Sequence, residues 1–562
     1  MKSWRPVISL FLVVAALLGM CAGLIAAPAS AAPLKPKANW SPCYRDLGYP
    51  FECATVQVPL DYSNPGKAAI LIAMVRLPAT DPARRIGSLF LNPGGPGGSG
   101  VDFALGAGPF LYSDEVRARF DIVGFDPRGI LRSTAVRCFG TPKQWADALA
   151  PFPYPTTPDE ELIWQTAELF LDDACEQRAQ RIIDHMTTAD VARDLELLRQ
   201  AVGDEKLTYA GFSYGSYLGV TYANLFPDKV RALVVDAVLD PIAWAIGEPG
   251  QGSTLPFSTR LRSDAGASAT LNEFFRLCDE GGEPNCAFAP DSAHRYAILV
   301  DSLRAEPIVV TLPDGTTFTF TDADLIVNSL GALYNSFTWP SFAEFLAAIE
   351  ALAGPTEIGA RLQALWQDVG LITKRGFPQY PNFLEGFPAV ACSDTDNPDN
   401  YAAWSAAAAA SEAEYGYFGP LWTWISSICA NWGPPKDSRY AGPFEAETAN
   451  PVLIASTLYD PATRYEGALR VADLLPNSRL LTVNGWGHAT PFLSQCADQA
   501  VSDYLVDGTL PLEGTVCNQD WVPFNGTSAA AAAPEATTGR TKVTPVLVPD
   551  VVRQGVRYAA EN

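Results

Sequence analysis

Apolar and polar residues alternate along TVQVPLDY (55–62), and the β-prone run AAILIAMVRL (68–77) follows, so the stretch from about 38 to 85 reads as the first strands of a sheet. Short apolar runs then recur at SLFL (88–91), FDIVGF (120–125), LTYA (207–210), RALVVDAVLDP (231–241), PVLIASTLYD (451–460) and SRLLTVNGW (478–486). Between them the period changes. TTADVARDLELLRQAVG sets Val191, Leu195, Leu198 and Val202 on one helical face and stops at Gly203. Strands alternating with helices in this way predict an α/β fold: a doubly wound, mostly parallel sheet with right-handed crossovers.

From 242 to 445 the rhythm is broken by aromatic-rich helical segments such as LNEFFRLCDE, FAEFLAAIEALAG and AAWSAAAAASEAEY. They predict a large, mainly helical cap inserted between a first core part (38–241) and a C-terminal core part (446–523). Within it, VTLPDGTTFTF (310–320) reads as a hairpin turning at Asp314-Gly315. Residues 524–562, rich in Ala, Thr and Pro, read as a flexible tail. Lys2 and Arg5, an apolar run from Val7 to about Ala27 and the small residues Ala29-Ser30-Ala31 read as a signal peptide over 1–31. An uncleaved run would tie the protein to the cell envelope. Met20 spoils a lipoprotein box at Cys21.

The net charge of −23 argues against nucleic acid as a partner, because phosphates need a basic surface. Eleven cysteines become ten without Cys21, an even number that suits disulfides in an exported chain. Pairing sequence neighbours joins Cys43–Cys53, Cys138–Cys175, Cys278–Cys286, Cys392–Cys429 and Cys496–Cys517. No C-x-x-C or H-E-x-x-H is present, so neither a metal nor another cofactor is expected.

The chemistry centres on Gly211-Phe212-Ser213-Tyr214-Gly215. A strand before and a helix after this G-x-S-x-G make it a nucleophile elbow, which holds the serine hydroxyl in the open at a sharp turn. A serine needs an adjacent base, itself oriented by an acid. Of three histidines, His488 follows a strand in the loop GWGHAT and comes last in the order Ser…Asp…His, whereas His185 and His294 read as surface or helix-end residues. Asp460, ending PVLIASTLYD, is the expected acid, with Asp236 and Asp240 as alternatives. The loop NPGGPGGSG has five glycines between Gly94 and Gly100 and brings backbone N–H groups towards a ligand. With the amide of Tyr214 it predicts an oxyanion hole, through Gly95 or alternatively Gly94. Its embedded G-x-G-x-x-G would suit a dinucleotide, but Pro96 within it and the export signal speak against that. Asp126 and Arg128 of FDPRG read as an ion pair holding their loop.

NPGGPGGSG, FDPRG, TTADVARDLELLR, GFSYGSYLG, LYDPATRYEGA and GWGHAT, in this order, resemble the secreted tripeptidyl aminopeptidases of the α/β-hydrolase superfamily, which carry a TAP-like C-terminal region. The resemblance spans roughly 40–520. It implies a secreted serine exopeptidase that removes short peptides from free N-termini, with Ser213 as nucleophile, Asp460 as acid and His488 as base; a monomer is expected. A substrate α-amine would meet a cap carboxylate, for which Asp394 is the first choice and Glu273, Glu412 and Glu414 follow. Arg464 and Leu131 depart from the family's loops. The same triad in a secreted carboxylesterase is the alternative.

Overall fold

The computed structural model describes residues 36–311, 317–351 and 382–527. The expected signal segment, Cys21, the Asp314-Gly315 turn, cap residues 352–381 and the tail from 528 lie outside the described residues.

Ten strands form one sheet in the order β1-β2-β3-β5-β4-β6-β7-β10-β11-β12. They are β1 (Ser41–Pro42), β2 (Glu52–Pro59), β3 (Ala69–Leu77), β4 (Gly87–Asn92), β5 (Phe120–Phe125), β6 (Leu207–Phe212), β7 (Val230–Asp236), β10 (Val452–Tyr459), β11 (Ser478–Trp486) and β12 (Val516–Asn518). A separate antiparallel pair, β8 (Ile308–Thr311) and β9 (Thr317–Phe320), forms the hairpin expected in the cap. The first strands pair antiparallel as far as the β3–β5 contact, and every pair from β5 to β12 is parallel. This is the doubly wound, mostly parallel sheet expected from the strand–helix alternation, in the α/β-hydrolase arrangement that the resemblance implies.

The continuous apolar runs have a physical cause. β4, β5 and β6 are buried along their whole length, so both faces of each strand need apolar side chains. Leu89 and Leu91 enter one core cluster and Phe90 the other; Val234 and Val235 divide in the same way. Helices cover the two faces, among them α1 (Gly100–Ala107), α2 (Pro158–Arg178), α3 (Thr188–Val202) and α4 (Tyr214–Leu225). α3 runs as its spacing predicts, capped by the Thr187 hydroxyl and ended by Gly203 at φ 87°.

Between β7 and β10 the chain is mainly helical. It includes α5 (Pro241–Ala245), α6 (Ser263–Asn285), α7 (Asp322–Leu333), α8 (Phe383–Asp394) and α9 (Tyr401–Tyr415). α10 (Tyr465–Leu474) and α11 (Gln495–Asp507) complete the C-terminal part. All five cysteine pairs expected from sequence neighbours are bonded, Cys138–Cys175 tying the β5 loop to α2 and Cys392–Cys429 anchoring α8.

The FDPRG loop is held, but by different partners from those expected. Arg128 is buried against Asp194 of α3 at 2.6 Å and donates to the carbonyls of Pro59, Leu60 and His185. Asp126 instead accepts from the Ser99 hydroxyl, the Val101 amide and the Arg132 amide. The two side chains serve separate neighbours because each finds a better-placed partner across the fold.

Because the strands from β4 to β11 in the sheet are parallel, their C-terminal ends meet on one rim. The glycine loop leaves β4, the elbow leaves β6, Asp236 ends β7, Asp460 follows β10 and His488 follows β11. Such a rim, beside the switch in strand order at β4, is where open α/β sheets bind ligands.

Candidate active site

Ser213 joins β6 to α4 at φ 57°, ψ −129°, a backbone conformation that a side-chain-bearing residue adopts only at a cost of about 1–3 kcal/mol. Its neighbours enforce it. The Ser213 amide donates to Asp236 O at 3.0 Å, and Tyr209 Oη donates to Gly215 O at 2.8 Å. A Cβ on Gly211 would sit 2.2 Å from Gly215 O, and one on Gly215 2.6 Å from Asn92 O, so both elbow positions require glycine.

Against this turn lies the glycine loop. A Cβ built on Gly94 would stand 2.4 Å from Phe212 O, 2.9 Å from Ser213 Cβ and 2.9 Å from the Tyr214 amide nitrogen. The loop backbone therefore touches the elbow itself. Gly94 N–H donates to Asn92 Oδ1 at 2.9 Å, which commits that amide and leaves Gly95 as the better donor of the two weighed from sequence. The Tyr214 amide opens the first turn of α4, where helix N–H groups lack intrahelical acceptors.

His488 is 7% exposed and held on several sides. Its Nδ1 lies 2.9 Å from both Oδ1 and Oδ2 of Asp460. Its own amide donates to Tyr334 O at 2.9 Å, and the Tyr334 ring meets the imidazole edge-on at 4.8 Å. A carboxylate acceptor keeps the proton on Nδ1 and leaves Nε2 with an open lone pair. That Nε2 is buried and, among the described residues, makes no hydrogen bond to Ser213 or any other group. Asp460 is fixed in turn by the amides of Ala462 and Thr463, both at 2.8 Å, and by the Thr463 hydroxyl at 3.0 Å. Asp236, weighed as an alternative acid, accepts instead from the Thr490 amide and hydroxyl, while Asp240 caps α5 through the amides of Ile242 and Ala243.

The four carboxylates named for a substrate amine are scattered. Asp394 does not fit that role: it is fully buried, and both of its oxygens accept from Thr188, through the amide at 3.0 Å and the hydroxyl at 2.5 Å. Thr188 Oγ1 also bonds Tyr214 Oη, so Asp394 braces the elbow from behind. Burial pushes its carboxyl up to about 7, against the pull of the Thr188 donors. Glu412 and Glu414 are exposed on α9, with Glu414 paired to Arg262. Glu273, on α6, pairs with Arg276 and accepts from Trp486 Nε1 at 2.8 Å, two residues before His488.

A cleft of about 810 Å³ opens beside α5, lined by Ile242, Ile246, Thr395, Asn397 and Pro434 among others, with none of the Ser213, Asp460 or His488 side chains on its wall. Among the described residues no group of three or more His, Cys, Asp or Glu side chains is arranged to hold a metal ion. Asn92, Thr188, Tyr334 and Thr490 went unnoticed in the sequence. Only Asn92 carried a signal there, as the one polar side chain ending a buried strand ahead of the glycine loop.

Fold and rim chemistry together define a serine hydrolase of the α/β-hydrolase fold. Residues 87–269 match the family model described as alpha/beta hydrolase fold, and residues 414–517 match that described as TAP-like protein. The chain is 32% identical over 501 residues to carboxylesterase B of Mycobacterium tuberculosis, covering 86% of this chain and 90% of that protein. It is 31% identical over 488 residues to serine protease Hip1 of the same organism, covering 83% and 87% respectively. To the tripeptidyl aminopeptidase of Streptomyces coelicolor it is 29% identical over 500 residues, covering 88% of each chain. This chain belongs to the TAP-like family of α/β-hydrolases.

Proposed function

We propose that the protein is a secreted serine exopeptidase that releases short peptides, tripeptides first among them, from free N-termini. The observation that carries this reading is the His488 ring, clasped at Nδ1 by Asp460 and carrying a buried Nε2 that no other described residue engages, on the rim that also bears Ser213. In apo sites the nucleophile–base hydrogen bond is commonly long and tightens only around substrate. Ser213 Oγ attacks the scissile carbonyl as His488 Nε2 takes its proton, and Asp460 stabilises the imidazolium without being protonated. The carbonyl oxygen becomes an oxyanion between the Tyr214 and Gly95 amides. Collapse breaks the C–N bond, and the leaving amine takes the proton from His488. Water then repeats the sequence on the acyl-enzyme.

Glu273 is the best-placed of the named carboxylates for the substrate amine, being one hydrogen bond from the strand that delivers His488. The five disulfides support an extracytoplasmic location. Among the described residues no helix is long and apolar enough to cross a membrane. A second reading, a carboxylesterase using the same three residues, is favoured by the likeness to carboxylesterase B.

Rates on Ala-Ala-Ala-chromophore, its N-acetylated form and a short acyl ester separate the two. The exopeptidase reading expects the free amine to be preferred by roughly 100-fold or more, since a site built to pair a charge rejects the analogue lacking it. It expects Ser213→Ala to lose roughly 10⁶-fold in kcat. Equal turnover of the free and acetylated peptides refutes the aminopeptidase, and an active Ser213→Ala refutes the triad.

A further inference from the structure

We propose that Asp236 is a positioning residue that sets the nucleophile and the base relative to each other. This rests on the reading of Ser213 and His488 as the reacting pair. The residue reaches both loops at once. Its main-chain carbonyl accepts from the Ser213 amide at 3.0 Å. Its carboxylate accepts from the Thr490 amide at 3.1 and 3.2 Å and from the Thr490 hydroxyl at 2.5 Å, two residues beyond His488. β7 makes this possible, because it lies between elbow strand β6 and acid strand β10 in the sheet.

The base loop needs such an anchor. Ala489, between His488 and Thr490, stands at φ 77°, and Phe492 at φ 70°. Each is a position that L side chains occupy only when the surroundings over-determine it. Asp460 orients the ring and Tyr334 O holds the His488 amide, but neither bonds to Ser213 in this structure. Asp236 alone among these anchors bonds both the elbow and the base loop. It is 2% exposed, so its carboxylate gains no competing water.

Three ionisable groups interact with it, His488, Asp460 and Tyr112. His488 and Asp460 act on its charge directly, while Tyr112 lies close enough to feel both Asp236 and Asp498, the latter held by the Phe492 amide. Burial pushes the Asp236 carboxyl up to about 7. Above that pH both oxygens accept from Thr490; below it one carries a proton and the anchor slackens. The acid limb of the kcat/KM profile therefore contains the Asp236 ionisation.

The test uses the whole protein, with Asp236→Asn and, from the other side of the bond, Thr490→Val and Thr490→Ser. Active sites are counted by fluorophosphonate titration, and rates are measured on both the peptide and the acyl ester. Asp236→Asn is expected to lower kcat per titrated site by about 100-fold at unchanged KM, the scale of an ångström-sized misplacement, and to remove the ionisation at about 7 from the acid limb. Thr490→Val is expected to lose roughly 10-fold, with Thr490→Ser recovering most of it, as befits one hydrogen bond to a charged acceptor. A per-site kcat within twofold of the parent for Asp236→Asn, with an unaltered acid limb, overturns the proposal, as does an unaffected Thr490→Val should the aspartate variant not fold. Failure of the underlying site reading is told apart by Ser213→Ala, whose retained activity would refute that reading whatever Asp236 does.

Discussion

Replacing Gly94 by alanine places a methyl carbon 2.4 Å from Phe212 O and 2.9 Å from both Ser213 Cβ and the Tyr214 amide nitrogen. None of these neighbours is the far end of a flexible side chain, so the glycine loop itself has to retreat. Two penalties follow and can be separated. The first is backbone strain at φ +94°, roughly 1–2 kcal/mol for an L residue, which falls on stability alone. The second falls on the barrier if Gly95 donates as proposed: a displaced loop would no longer hold that amide at hydrogen-bond distance from the oxyanion, worth about 3–4 kcal/mol or 100- to 1,000-fold in kcat. Gly203→Ala is the matched control. Gly203 sits at φ +87° with open space where its Cβ would go, so it carries the strain without the collision. Urea unfolding and kcat per fluorophosphonate-titrated site are measured for both variants. Gly203→Ala should lose about 1–2 kcal/mol of stability with an unchanged kcat. Gly94→Ala should lose stability and, in addition, at least about 100-fold in kcat with KM nearly unchanged. A kcat for Gly94→Ala within roughly 10-fold of the parent would refute the placement of the oxyanion hole at this loop.

Asp194→Asn leaves the Arg128 guanidinium buried without its counter-ion, and stability should fall by about 3–5 kcal/mol in urea with kcat per folded molecule unchanged. Asp394 predicts a pH dependence of stability. Its carboxyl titrates near 3.8 when unfolded and at about 7 when folded, so through that window the native state holds a proton the unfolded chain has released, and stability falls as pH rises. The full effect is roughly 4 kcal/mol, and urea midpoints at pH 4.5 and 7.5 should differ by less in Asp394→Asn than in the parent. Equal differences in the two proteins would rule out Asp394 as the source.

Local signals were the legible ones. The elbow and the helix Thr188–Val202 could be read because glycine spacing and helical period act between near neighbours in the chain. α2 was missed although its start is marked. Thr157 and Glu160 form a capping box, but the mixed faces of PDEELIWQTAELFLDDACEQR hide its period. Asp126 and Arg128 were paired because they are two residues apart, yet Arg128 reaches Asp194 across 66 positions of chain.

Residue order and spacing by themselves determined the strand–helix alternation, the elbow at Ser213 and the chain order of serine, aspartate and histidine, and they suggested the disulfide partners that the structure then bonded. Each depends on short-range sterics or on simple adjacency. Only tertiary structure decided that Asp394 is an internal brace, that Asn92 takes the Gly94 amide, and that Asp236 joins the elbow to the base loop. The last two roles arise where β4, β6, β7, β10 and β11 end on a common rim, and the first where α8 meets the start of α3. Burial and hydrogen-bond partners there are set by neighbours in the sheet, and those are remote along the chain.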